Sequence, residues 1–127
     1  MNTAIKVVIG LLCLPLLALG FAAMFAPTAV IDTFGVEPVG GLGLNTIRAN
    51  VAGVLLGTAA MLVLGLWRRN TTWFLAAAVV AGIVAFGRLV GFAMDGVTAD
   101  AVPPLIIESA LIGMGVLAHK RLGPSAA

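Results

Sequence analysis

Three ionisable side chains sit where a chain seldom places charge: Arg48, Arg88 and Glu108 each fall inside a long apolar run. Charges surrounded by hydrocarbon face a protein interior, pair with one another or meet a ligand. A guanidinium and a carboxylate match fork to fork, so Arg–Glu pairing is the first chemistry available. Two cations against one anion leave one positive charge over. That surplus suits an anionic lipid headgroup, a quinone oxygen or a small carboxylate ligand. Asn45, Thr46 and Asn50 add hydrogen-bonding groups around Arg48. Asp95, two turns from Arg88 on the same helix face, can equally cancel the surplus. The candidate ligand-binding set is therefore Arg48, Arg88, Glu108, Asn45, Asp95 and Asn50.

Other chemistry finds little support. The chain has no H-E-x-x-H, C-x-x-C, Walker or G-x-S-x-G pattern. Its one histidine, His119, stands beside Lys120 near the chain end and reads as an interfacial residue rather than a metal or haem ligand. The single Cys13 excludes an internal disulfide and reads as a buried apolar thiol. Ser109 follows Glu108 without a base positioned to activate it. No catalytic residue, metal or cofactor is expected, and the reading is non-enzymatic.

The elements that must position the three charges follow from composition. Of 127 residues, 61% are hydrophobic and 9% charged, against about 25% charged in an ordinary soluble domain. That shortage of polar surface excludes a soluble enzyme, a disordered chain and a nucleic-acid binder. About 20 apolar residues cross a bilayer core as a helix. Four such runs are present, over residues 7–26, 43–67, 72–94 and 101–118. None alternates with period two, so helices rather than a barrel must satisfy the backbone. The predicted fold is all-α: a four-transmembrane-helix antiparallel bundle, one integral membrane domain over residues 1–127. Residues 27–35 open on Pro27 and close on Gly35, and Val30, Ile31 and Phe34 share one face. They read as a short interfacial helix after helix one.

Charge sets the orientation. Lys6, Arg68, Arg69, Lys120 and Arg121 fall at one set of span ends, and Asp32, Glu37, Asp95 and Asp100 at the other. The positive-inside rule places both termini in the cytoplasm, with Trp67 and Trp73 at the inner interface. The first span, long for a signal-peptide core, reads as a retained helix. Counted from the outer span ends, Arg48, Arg88 and Glu108 all lie roughly 7–10 Å deep. Side chains tilt toward a helix N-terminus. Arg48 and Glu108 therefore lean outward, whereas Arg88 leans toward the membrane centre and is the most committed to a partner. Arg48, if Asn45 caps span two, lies in a first turn whose dipole disfavours it.

Small residues at four-residue spacing let membrane helices approach. Ala49, Gly53 and Gly57, Gly87 and Gly91, and Ser109 and Gly113 are expected to face the bundle interior, or alternatively to form a homodimer seam. Pro15 should kink helix one.

The stretches Gly43-Leu44-Asn45-Thr46-Ile47-Arg48-Ala49, Gly53, Phe86-Gly87-Arg88-Leu89-Val90-Gly91, Asp95-Gly96 and Glu108 resemble a bacterial four-helix membrane family catalogued as domain of unknown function 4345. It is similar in architecture to DoxX-like membrane proteins. The resemblance implies a fold and a set of polar positions, and no activity; the bundle is expected in a bacterial inner membrane. Three functions fit these residues. One is binding of a lipid or small anionic amphiphile near the outer leaflet. The second is a structural or assembly subunit, alone, as a homodimer or in a membrane complex, with the charges clipping helices together. The third is a transporter or quinone-linked redox subunit.

Overall fold

A computed structural model describes residues 2–123. Helix α1 (Thr3–Phe25) starts at Asn2, whose side-chain oxygen accepts the Ala4 N–H at 3.1 Å. It runs unbroken through Pro15 and stops before Pro27, which has no N–H to continue the ladder. A 3₁₀ turn (Pro27–Ala29) and the short helix α2 (Ile31–Phe34) follow, ended by Gly35 in the left-handed region at φ 61°. The interfacial helix expected over residues 27–35 is thus two short pieces. They pack inward: Val30 is buried with Ala23, Ile47 and Ala52, and Ile31 and Phe34 lie against them.

Helix α3 (Gly40–Arg68) begins three residues before the expected start and contains one π turn, Ile47–Val51. In that turn the Ala52 N–H donates to the Ile47 carbonyl, five residues back. The hydrophobic pattern explains it. In a regular α-helix residues five apart point about 140° away from each other. The wider turn brings Ile47 and Ala52 onto one face, and both are buried against α1. Helix α4 (Thr72–Asp95) follows a tight connection in which Arg69 takes φ 51° and the Asn70 side chain accepts the Thr72 N–H at 3.0 Å. A 3₁₀ turn (Ala99–Ala101) leads into α5 (Val102–Leu122).

Four of these helices are long and apolar enough to cross a membrane, so this is a multi-pass membrane protein with a four-helix bundle. The acids Asp32, Glu37, Asp95 and Asp100 lie at one end and Lys6, Arg68, Arg69, Lys120 and Arg121 at the other. We call these the acidic and basic ends. Large side chains such as Leu11, Leu14, Ile83 and Phe86 point outward, as a surface facing lipid allows.

The main core lies toward the basic end. Ile5, Ile9, Cys13 and Leu16 meet Leu62, Phe74, Ala81 and Leu111 there. Phe74 is its keystone, 1% exposed. A Cβ on Gly65 would fall 2.5 Å from the Phe74 ring, and one on Gly115 would fall 2.7 Å from the Phe74 carbonyl. On the acidic side, no described residue of α4 beyond Ala85 is buried, and none of α5 before Glu108. There α1 and α3 share a second core, centred on Ala23 and Ala52, without α4 or α5. The two helix pairs hold together at the basic end and separate toward the acidic end.

The glycines that permit close approach between helices are Gly20, against Leu56, with Gly65 and Gly115. The predicted stripes make no close helix contacts within the chain. A Cβ on Gly53, Gly57, Gly87 or Gly113 would meet nothing within 4 Å, and on Gly91 only the Asp95 carboxylate at 4.0 Å. Ala49 and Ser109 are exposed, and the Ser109 hydroxyl donates to its own helix at the Leu105 carbonyl, 2.8 Å away. Spacing alone could not separate these glycines from the packed ones. The distinction lies in which face carries the long contacts.

Gly115→Val should destabilise the bundle by about 1–3 kcal/mol through overpacking against backbone, whereas Gly113→Val should be close to neutral. Thermal unfolding in detergent checks this, and equal losses from both would contradict the described packing.

Candidate functional site

Arg88 and Glu108 extend the core faces of their helices. Arg88 stands three residues beyond Ala85, and Glu108 three before Leu111, both buried. Antiparallel packing of α4 on α5 brings the two to the same level. Arg88 Nη2 donates to Glu108 Oε1 at 2.7 Å, and Nε lies 3.3 and 3.2 Å from Oε1 and Oε2. This is the bidentate pairing that the shared depth and the inward lean of Arg88 predict. It is the one ion pair among the described residues. The side chains are 28% and 11% exposed, so the carboxylate is enclosed while part of the guanidinium still faces outward.

Arg48 does not join them. Its Nε donates to the Met24 carbonyl at 3.1 Å. That oxygen belongs to the last turn of α1, where a helix leaves carbonyls without partners. The N–H that would meet it in a continued helix belongs to Thr28, which lies instead in the 3₁₀ turn opened by Pro27. Arg48 thus caps α1 at its negative dipole end, where a cation is favoured. The expectation of an unfavourable first-turn position is overturned, because α3 starts at Gly40 and Asn45 is not its cap. The expected Arg48–Glu108–Arg88 cluster is corrected to one closed pair and one separate arginine. Equal depth placed all three in one layer, but each helix face decided which of them meet.

The other candidates spread apart. Asn45 is exposed within α3, and Asp95 makes no ion pair among the described residues. Thr46 turns back on its own helix, donating to the Leu42 carbonyl at 2.9 Å. Asn50 is exposed and lines a groove of about 540 Å³ between α3 and α4. Ala49, Gly53, Gly57, Thr58 and Met61 of α3 line it with Val80 of α4, and it is open to the outside. Among the six expected ligand residues only Asn50 borders it. Sequence reasoning missed the Met24 carbonyl and the groove. Pro27 was the available signal for the first, since it ends α1 abruptly.

Chemically, Arg88 and Glu108 satisfy each other. Arg48 keeps its Nη groups free of protein partners among the described residues and stands exposed beside the end of α1. At the basic end, His119 Nδ1 lies 3.2 Å from the Thr71 carbonyl and ties α5 to the α3–α4 turn. No group of three or more His, Cys, Asp or Glu able to hold a metal occurs among the described residues.

Removing either member of the ion pair should cost about 1–3 kcal/mol. Arg88→Met, Glu108→Gln and the double variant form the cycle. A double variant no worse than the singles is expected, and strictly additive losses would contradict the pairing.

No curated protein and no solved structure matches the chain. The family model of a domain of unknown function, DUF4345, matches residues 4–119, which include both arginines and Glu108. The chain belongs to the DUF4345 family.

Proposed function

We propose that this protein binds an anionic amphiphile, a lipid headgroup or a small carboxylate or phosphate, through Arg48 near the outer leaflet of a bacterial inner membrane, with both termini cytoplasmic. The observation that carries this reading is the division between the arginines. Glu108 is engaged by Arg88, and Arg48 has only a neutral carbonyl. One N–H fixes the guanidinium to Met24, and its remaining donors suit the oxygens of phosphate or carboxylate.

Depth supports it. Trp67 and Arg68, whose Cζ lies 5.7 Å from the Trp67 ring centroid, suit an interface at the basic end. Counting about 20 residues back along α3 puts the opposite boundary near Ile47. Arg48 then lies just inside it and leans toward the headgroups. The protein acts as a single membrane domain and does no covalent chemistry on its ligand.

The Arg88–Glu108 bond favours a second reading, a structural or assembly subunit in which this pair joins α4 to α5 and Arg48 only caps α1. A transporter or quinone-linked subunit fits less well, because both Glu108 oxygens already accept from Arg88.

Native mass spectra of gently extracted protein separate the first two. Wild type should carry a discrete anionic adduct, regained from added phosphatidylglycerol and not from phosphatidylcholine. Arg48→Ala should lose it while unfolding near the wild-type temperature. Bare protein in both samples would favour the structural reading.

A further inference from the structure

The α3–α4 turn at the basic end carries the one non-glycine residue with a positive φ among the described residues, Arg69 at 51°. Glycine adopts that backbone freely, and a side chain resists it. The chain nevertheless places a guanidinium there. Two residues on, Thr71 is only 8% exposed. Its hydroxyl makes no hydrogen bond among the described residues, and it is not sealed from the outside.

The end of α5 is fastened over this turn. His119 Nδ1 lies 3.2 Å from the Thr71 carbonyl, and a Cβ on Gly123 would fall 3.6 Å from the Thr71 hydroxyl oxygen. Between the turn and that helix end remains a cleft of about 10 Å³, lined by Gly65, Leu66, Arg69, Thr71, Phe74 and Leu122. That is the room of about one water-sized atom. Four of the lining residues are apolar. The other two, Arg69 and Thr71, offer N–H and O–H donors. The cleft therefore suits a single acceptor oxygen.

The charge of this end selects an anion. Lys6, Arg68, Arg69, Lys120 and Arg121 gather here, while every acidic side chain lies at the acidic end or, as Glu108, is paired with Arg88. The turn is also the N-terminal end of α4, a helix of 24 residues whose dipole favours negative charge. Position selects the source of that anion. Trp67 and Trp73 bracket the turn and are both exposed, which sets it at the level of lipid headgroups. A phospholipid there can place one phosphate oxygen in the cleft while its headgroup stays outside and its chains remain in the leaflet.

We propose that the α3–α4 turn binds the phosphate of an anionic phospholipid in the basic-end leaflet, with one phosphate oxygen seated between Arg69 and the Thr71 hydroxyl. The site is at the opposite end of the molecule from Arg48 and stands independently of the reading given to that residue.

Trp67 and Trp73, the only tryptophans of the chain, report on it directly. The protein is reconstituted in bilayers of chain-brominated phosphatidylcholine, which quenches indole fluorescence, and unbrominated phosphatidylglycerol is titrated in. Fluorescence should recover well ahead of the phosphatidylglycerol fraction. Arg69→Gly should lower this apparent preference about fivefold, the factor that corresponds to one cation near an anionic surface. The same variant should unfold no lower in temperature than wild type, because glycine relaxes the turn. Thr71→Val should also lower the preference. Lys120→Gln removes an equal charge outside the cleft and should lower it far less, and Arg48→Ala should leave it unchanged. Recovery that merely follows the lipid fraction in wild type would overturn the site. So would equal losses from Lys120→Gln and Arg69→Gly, the mark of diffuse surface charge. Loss of the preference on adding millimolar sodium phosphate at constant ionic strength would assign the cleft to the free anion and overturn the lipid occupant.

Discussion

One carboxylate inside the apolar layer can satisfy one guanidinium bidentately, and the arrangement of the acidic-side half follows from which arginine takes it. Glu108 goes to Arg88, because α4 and α5 are joined by a short connection and their core faces converge. Arg88 also has no alternative, since its side chain leans toward the membrane centre. A charge left unpaired there would be costly. Arg48 lies nearer a boundary and is satisfied by a backbone carbonyl and the negative end of a helix. The two arginines therefore differ in kind: one is bound within the bundle, and the other is oriented by it.

Packing reinforces this difference. Without a hydrophobic force between helices in lipid, close contact must come from small residues and fitted shapes. Here that contact is concentrated at Phe74, held between Gly65 and Gly115. The basic end is consequently a four-helix core, whereas the acidic end is two helix pairs. The ion pair stiffens one of them and the Arg48 cap the other. What joins neither pair is the gap between α3 and α4, where the groove opens.

Much of this was legible in the residues. Apolar run length placed the four spans to within a few positions, and the segregation of Lys and Arg from Asp and Glu gave the two ends. The Arg88–Glu108 contact followed from depth and side-chain lean, both fixed by helix geometry. The Arg48 contact did not, because its acceptor is a backbone carbonyl and every residue has one. Only the interruption at Pro27 marks Met24 as available. The π turn was hidden for a related reason: it shows only when Ile47 and Ala52 are known to share a partner. Four-residue spacing of small residues was the least informative signal. Gly53 and Gly57 obey it with nothing packed close against them, while Gly65 and Gly115 are recognised only through their common neighbour Phe74.

The loosely surrounded glycines raise a physical question of their own. A glycine inside a helix costs roughly 0.5–1 kcal/mol relative to alanine, and close packing usually offsets that cost. Gly53, Gly57, Gly87 and Gly113 have no such packing within the chain. On α4 and α5 they are scattered. On α3 two of them, with Ala49, line the groove that Asn50 also borders. Leucine at either place would favour the helix and fill the groove. These glycines therefore lower the stability of α3 without an offsetting close contact inside the chain, whereas the glycines beside Phe74 return their cost as packing.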